Sequence, residues 1–137
     1  MSTNKLTWEE KYSVGVEEID NQHKKMFQTI NELLEAIHTN SSEECLGSII
    51  KDLVEYKKFH FATEEKYFKE FNFDGAEDHI ARHQEFTAKL SALKDKYSEY
   101  TVEFAFELID FLEDWLINHL MVVDQKYKEC FLAHGLK

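Results

Sequence analysis

The chain has 137 residues, enough for one buried core and too few for two. Hydrophobic residues make up 43% and charged residues 31%, with no proline and four glycines, which excludes a disordered chain and leaves an all-β fold without its turn residues. Sixteen basic residues stand against 27 acidic ones, for a net charge of −11, which excludes the phosphate neutralisation that nucleic-acid binding needs and disfavours an anionic membrane surface.

Residues 1–18 read as an extended N-terminal arm with Trp8, Val14 and Val16 as apolar anchors. Met1 to Lys11 has no apolar core of signal-peptide length, and no run approaches a transmembrane span. Cys45 and Cys130 form no CxxC pair and read as two reduced thiols, so a cytoplasmic protein without membrane insertion is expected.

A first helix is predicted over about 19–38, with an apolar stripe of Ile19, Met26/Phe27, Ile30, Leu33/Leu34 and Ile37. Asn40 and Ser41 break it, and Ser42 is the expected N-cap of the next, with Glu43 and Glu44 in the following turn. That second helix spans about 43–70. Its stripe, Leu46, Ile50, Leu53, Lys57, His60, Glu64, Phe68 and Phe71, carries three polar residues on an apolar line. Asn72 to Gly75 turn the chain into a third helix over about 76–97, and Ser98 to Thr101 form a loop. The fourth helix covers about 102–133 with a break near 120–124. Four amphipathic helices joined by short loops imply an all-α, up-down-up-down antiparallel four-helix bundle in a single domain over 1–137.

Histidines and carboxylates are costly to bury without partners, yet every helix places some on its inward stripe. They are His23, then His60 and Glu64, then His79 and His83, then His119 followed by Asp124. Residues four apart on a helix converge, which suits His60/Glu64 and His79/His83. HIARH at 79–83 lacks the glutamate that the HExxH zinc-protease motif requires. His119 and Asp124 are five apart, about 140° off a shared face of a regular helix. Either the helix is distorted near Leu120 to Val123, for which a π-bulge is predicted, or Asp124 is not a ligand. One inward histidine is more often a hydrogen-bonded core residue than a ligand. Five histidines and two carboxylates on four facing helices instead point jointly to a metal site. Imidazole with carboxylate suits a first-row transition metal, and seven ligands are too many for one ion and natural for two. His38, at a helix end, and His134, in the tail, read as ordinary surface histidines.

The segments VGVEEIDNQH (14–23), HFATEE (60–65), HIARHQEF (79–86) and WLINHLMVVD (115–124) resemble the hemerythrins, in particular the single-domain bacterial form, bacteriohemerythrin, over essentially the whole chain. The resemblance implies two iron ions. His79, His83 and His119 would bind one, His23 and His60 the other, and Glu64 and Asp124 would bridge them beside an oxo or hydroxo group. Eleven of the twelve positions of two octahedral irons would then be filled, leaving one on the iron with two histidines. In the family, dioxygen binds there reversibly and is held as hydroperoxide, in an oxygen carrier or store and not an enzyme. Phe61, Trp115, Leu116 and Leu120 match the family's apolar ligand pocket. Phe68 stands where the family commonly has Met, and Phe73 and Asp74 where it has Tyr-Pro; neither is expected to touch a ligand. Dioxygen is the expected ligand, an oxygen-consuming protein a candidate recipient, and a monomer the expected state. The rival readings are oxygen or redox sensing through a separate partner, and scavenging of peroxide or nitric oxide at the same iron.

Overall fold

The computed structural model describes residues 6–39, 42–96 and 101–137, with backbone alone for 42–45. The expected break at Asn40–Ser41, the Ser42 cap with its acidic turn, the Cys45 thiol and the loop at 98–100 lie outside the described residues. The helices are α1 (Glu17–His38), α2 (Ser42–Glu70), α3 (Ala76–Lys96), α4 (Val102–Asn118) and α5 (Gln125–Ala133), with a π-helical turn over His119–Val123 between the last two. There is no strand among the described residues. The four main helices pack as an antiparallel bundle in which α2 touches α1, α3 and α4, and α1 touches α4. Phe86 of α3 stacks on Phe111 of α4 at 5.1 Å between centroids, which joins the remaining pair.

The arm is not simply extended. It contains a 3₁₀ turn at Glu10–Tyr12 and folds back on α1. The Asn31 side chain accepts from Leu6 N at 2.7 Å and donates to Leu6 O at 3.0 Å, so the arm's backbone is paired. Trp8, Tyr12 and Phe27 meet edge to face at 5.4–5.7 Å. Helix α1 starts at Glu17, ahead of its first apolar residue. Three acids, Glu17, Glu18 and Asp20, favour its positive end. The Asp20 carboxylate also accepts from Ser13 Oγ at 2.6 Å and Val14 N at 2.9 Å, locking the entry of the chain. Gly15 between them has φ +76, and a Cβ there would lie 3.2 Å from Leu132.

Helix α2 ends in a left-handed residue, Asn72 with φ 52, and Phe73 N donates to Phe68 O at 3.0 Å. That six-to-one bond is a Schellman closure, with Asn replacing the usual glycine. Thr101 caps α4 by accepting from Phe104 N at 3.3 Å.

Two apolar clusters fill the bundle. The larger one holds Leu33, Leu46, Leu53, Phe86, Phe104, Leu108, Leu112 and their neighbours. The smaller one holds Val14, Val16, Ile19, Phe68, Tyr127 and Phe131. The polar residues of the inward stripes occupy the layer between them: His79 lies against Phe68 and Tyr127 on one side, and His83 against Phe61 on the other.

Candidate metal centre

Each helix brings its share of this layer for a local reason. On α2 and α3 the four-residue steps place His60 over Glu64 and His79 over His83, all buried. Helix α1 contributes His23 from a stripe that is otherwise apolar. At the end of α4 the five-residue step is met by the π turn, in which Asp124 N donates to His119 O at 2.7 Å. Widening the turn by one residue puts Asp124 beneath His119. The side chain of Gln125 donates to the Leu120 carbonyl at 3.1 Å, which gives that peptide of the irregular turn a partner.

All seven predicted ligands converge. Glu64, His79, His83 and His119 form one group able to hold an ion, and His23, His60, Glu64 and Asp124 form a second, with Glu64 common to both. Asp124 divides its oxygens. Oδ2 lies 3.0 Å from His23 Nε2, while Oδ1 lies 2.9 Å from His119 Nε2 and 3.1 Å from His79 Nε2. Glu64 turns a single oxygen, Oε1, to His83, His60 and His79 at 3.0, 3.4 and 3.7 Å.

These contacts are short but misdirected for hydrogen bonding. His23 Nε2, His83 Nε2, Glu64 Oε1 and both oxygens of Asp124 are buried and have no hydrogen-bond partner. Nitrogen faces nitrogen as well, with His79 and His119 Nε2 3.2 Å apart. Five orphaned polar atoms in one layer would be prohibitively costly unless their lone pairs share a target. Two donors at right angles on an ion with bonds of about 2.1 Å lie about 3.0 Å apart. Five of the seven spacings, between 2.9 and 3.2 Å, lie close to that value, so the residues fit a pair of transition-metal ions.

Three further side chains, unmarked by the sequence reading, orient these ligands from behind. Gln22 Oε1 lies 2.7 Å from His60 Nδ1, Glu65 Oε2 lies 2.9 Å from His83 Nδ1, and Tyr127 donates to Glu64 Oε2 at 2.5 Å. Each turns a ring nitrogen or a carboxylate oxygen away from the centre and so aims the other inward. Gln22 and Glu65 are hard to see because each sits one residue from a ligand, off the stripe that singled the ligand out. Tyr127 has a visible signal, since it lies three residues after Asp124 and so on the same face of α5.

Electrostatics reflect the crowding. Burial and mutual repulsion oppose ionisation of Glu64 and Asp124, yet the surrounding imidazoles hold both carboxyls well below the usual carboxylate range. Burial also works against a charge on His79, but the carboxylates of Asp124 and Glu64 close to its Nε2 outweigh it and lift it to about 9. Burial lowers His60 to about 3 and lowers His119 as well. Burial, with the charges of Asp124 and Glu64, raises Tyr127 well above the usual phenol value and keeps it a donor.

Of the predicted pocket residues, Phe61 and Trp115 lie against the three-histidine group, and Phe61 also reaches His60 at 5.9 Å between centroids. Phe61 stacks on His83 at 3.8 Å between centroids and 10°, and Trp115 on His119 at 4.1 Å and 16°. Leu116 and Leu120 are buried in the larger cluster. Lys57, the third polar residue on the α2 stripe, takes no place among the ligands. Its Nζ is buried and unpartnered, 3.9 Å from the Trp115 ring centroid and 4.1 Å from that of Phe86. Burial lowers its pKa to about 7.

Comparison with known proteins gives the same direction. The family model of the hemerythrin HHE cation binding domain matches residues 14–131. A bacteriohemerythrin of Clostridium acetobutylicum is 29% identical over 126 residues, covering 89% of this chain and 98% of that protein. A myohemerythrin of Riftia pachyptila is 31% identical over 88% of this chain and 89% of its own length. A hemerythrin-like protein of Naegleria gruberi is 35% identical over 90% of this chain and 91% of its own.

Proposed function

The chain belongs to the hemerythrin family, and from that premise we propose that it binds dioxygen reversibly at a non-haem di-iron centre, as a carrier or store and not as an enzyme. The observation that carries this reading is the inequality of the two ligand groups around one shared glutamate. Three imidazoles serve one side and two serve the other, inside a layer closed by apolar clusters. Two ferrous ions held by these residues would supply the electrons that reversible dioxygen binding needs.

The chain's own residues do the rest. His79, His83 and His119 saturate one side with nitrogen donors. His23 and His60 leave the other side less crowded, which is where a small ligand has room. Asp124 spans the two sides with one oxygen each, and Glu64 faces both. An oxo or hydroxo group would complete the bridging set. Phe61, Trp115, Leu116 and Leu120 form an apolar wall, with Phe61 reaching both His83 and His60, and would keep bulk water from a bound ligand. No helix of the described residues is long and apolar enough to cross a membrane, consistent with a ligand that arrives by diffusion. The nitrogen-rich donor set, five imidazoles to two carboxylates, also separates this centre from the carboxylate-rich di-iron sites of ferritin-like bundles.

The test is an optical one. The iron-loaded, anaerobically reduced protein is exposed to dioxygen and then purged. A visible ligand-to-iron charge-transfer band should appear with oxygen and vanish on purging. Irreversible conversion to the diferric spectrum would overturn the carrier reading in favour of sensing or scavenging.

A further inference from the structure

Lys57 has no role in the site described above, and its surroundings are unusual. Its side chain is 5% exposed and its Nζ has no hydrogen-bond partner among the described residues. The rings of Trp115, Phe86 and Phe61 cage the ammonium, with centroids 3.9, 4.1 and 5.0 Å away. Cation–π contacts replace only part of the hydration a buried ammonium loses, so this cation lacks an anion.

The same side chain forms part of the wall of a cleft between α2 and α3, with a volume of about 230 Å³. Lys58 and Lys94 also line this cleft, and no carboxylate does. In a chain of net charge −11, three lysines without an acid mark a local reversal of charge. The walls are otherwise largely apolar, through Phe61, Phe86 and Leu90, with Ser91 among the polar ones.

We propose that this cleft binds a small amphipathic monocarboxylate, its apolar body on Phe61, Phe86 and Leu90 and its carboxylate paired with the Lys57 ammonium. The Nζ lies behind the cleft wall, so rotation about the terminal torsions of the lysine delivers it to the anion. Lys58 and Lys94 attract the same charge. Free phosphate would leave the aromatic wall unused, and an amino acid would bring its own ammonium against three lysines. A monocarboxylate satisfies both the apolar walls and the missing anion.

Isothermal titration calorimetry of the iron-loaded protein tests this with hexanoate as the probe, and with hexanol and acetate as controls. Hexanoate should bind at least tenfold more tightly than either control. Lys57→Met, which keeps the length of the side chain, should reduce hexanoate to the level of hexanol. Ser91→Trp, which fills the cleft and leaves Lys57 in place, should abolish binding and serves the same purpose if Lys57→Met fails to fold. Equal binding of hexanoate and hexanol would overturn the proposal, as would undiminished hexanoate binding by either variant. Loss of binding in the presence of azide, a small anion that coordinates iron, would place the carboxylate at the metal and also overturn it. These heats are read whether or not the protein binds dioxygen, so failure here leaves the carrier reading standing.

Discussion

His79, His83 and His119 each lie against an aromatic ring, those of Phe68, Phe61 and Trp115, whereas His23 and His60 lie chiefly against each other, edge to face at 4.7 Å. His83 and His119 are thus fixed by stacking from the larger cluster, and His79 by a tilted ring, Phe68, from the smaller one. Of the other two, His60 is fixed by the hydrogen bond its Nδ1 donates to Gln22 Oε1. The contrast separates two demands on one site. One side has three imidazoles, each close against an aromatic ring; the other has two, with Phe61 more distant at 5.9 Å from His60. A symmetrical centre would hold its ions equally well on both sides and would offer an incoming molecule no preferred place.

The largest effect expected from breaking this asymmetry is at His79, whose Nε2 touches both carboxylates. Histidine-to-leucine at 79 should leave less than one ion per chain, and the same change at His60 should leave about one, as metal analysis of the purified variants would show. Equal losses would mean that the two sides are not held differently. Tyr127→Phe should come next. It strips the donor from Glu64 Oε2 and should weaken metal affinity about 10- to 100-fold, measured by competition with a chelator. Leu116→Ala acts on the wall and not on the ligands. It should cost about 2–5 kcal/mol of stability, read by urea unfolding, and speed autoxidation of the oxygenated protein while the iron is retained. An unchanged autoxidation rate would remove Leu116 from the wall.

The smallest effect concerns Lys57 in the metal-free protein. Its native pKa of about 7 lies below its usual 10.5, so the cost of burying its charge is complete below pH 7. As pH rises towards 10.5 only the unfolded chain keeps the proton, and stability rises with it. Between pH 7 and 9 the gain should be at most about 2–3 kcal/mol, and Lys57→Met should flatten it. Unfolding curves of the two proteins at both pH values decide the matter.

Much of this was legible in the sequence because the ligands are the wrong chemistry in the right place. His23, His60, Glu64, His79, His83 and His119 interrupt apolar stripes, and an interruption repeated on four helices has few explanations. The bundle followed from the stripes themselves. The supporting shell was less legible, for a physical reason: Gln22 and Glu65 belong to faces where polar residues are ordinary, and only the packing of a second helix gives them a buried partner. The arm shows the same limit. Its anchors were visible, but the pairing of Asn31 with Leu6 joins residues 25 apart, and nothing local announces it. Lys57 stood out on its stripe, but the rings that cage it come from α2, α3 and α4 together, and no single stripe contains them.

The π turn at His119–Val123 has a reach beyond its five residues. Asp124 occupies the station that residue 123 would hold in an uninterrupted helix, so everything downstream is retarded by one step, about 100° of phase. Tyr127 and Phe131 inherit that phase, and both belong to the smaller apolar cluster. One surplus residue thus works as a clutch between two lengths of helix that share an axis. Winding the turn into regular α-helix with that residue still in the chain would turn a ligand, the donor behind a second ligand, and an anchor of the core away from the bundle at a single stroke, whereas deleting the residue would leave all three in phase.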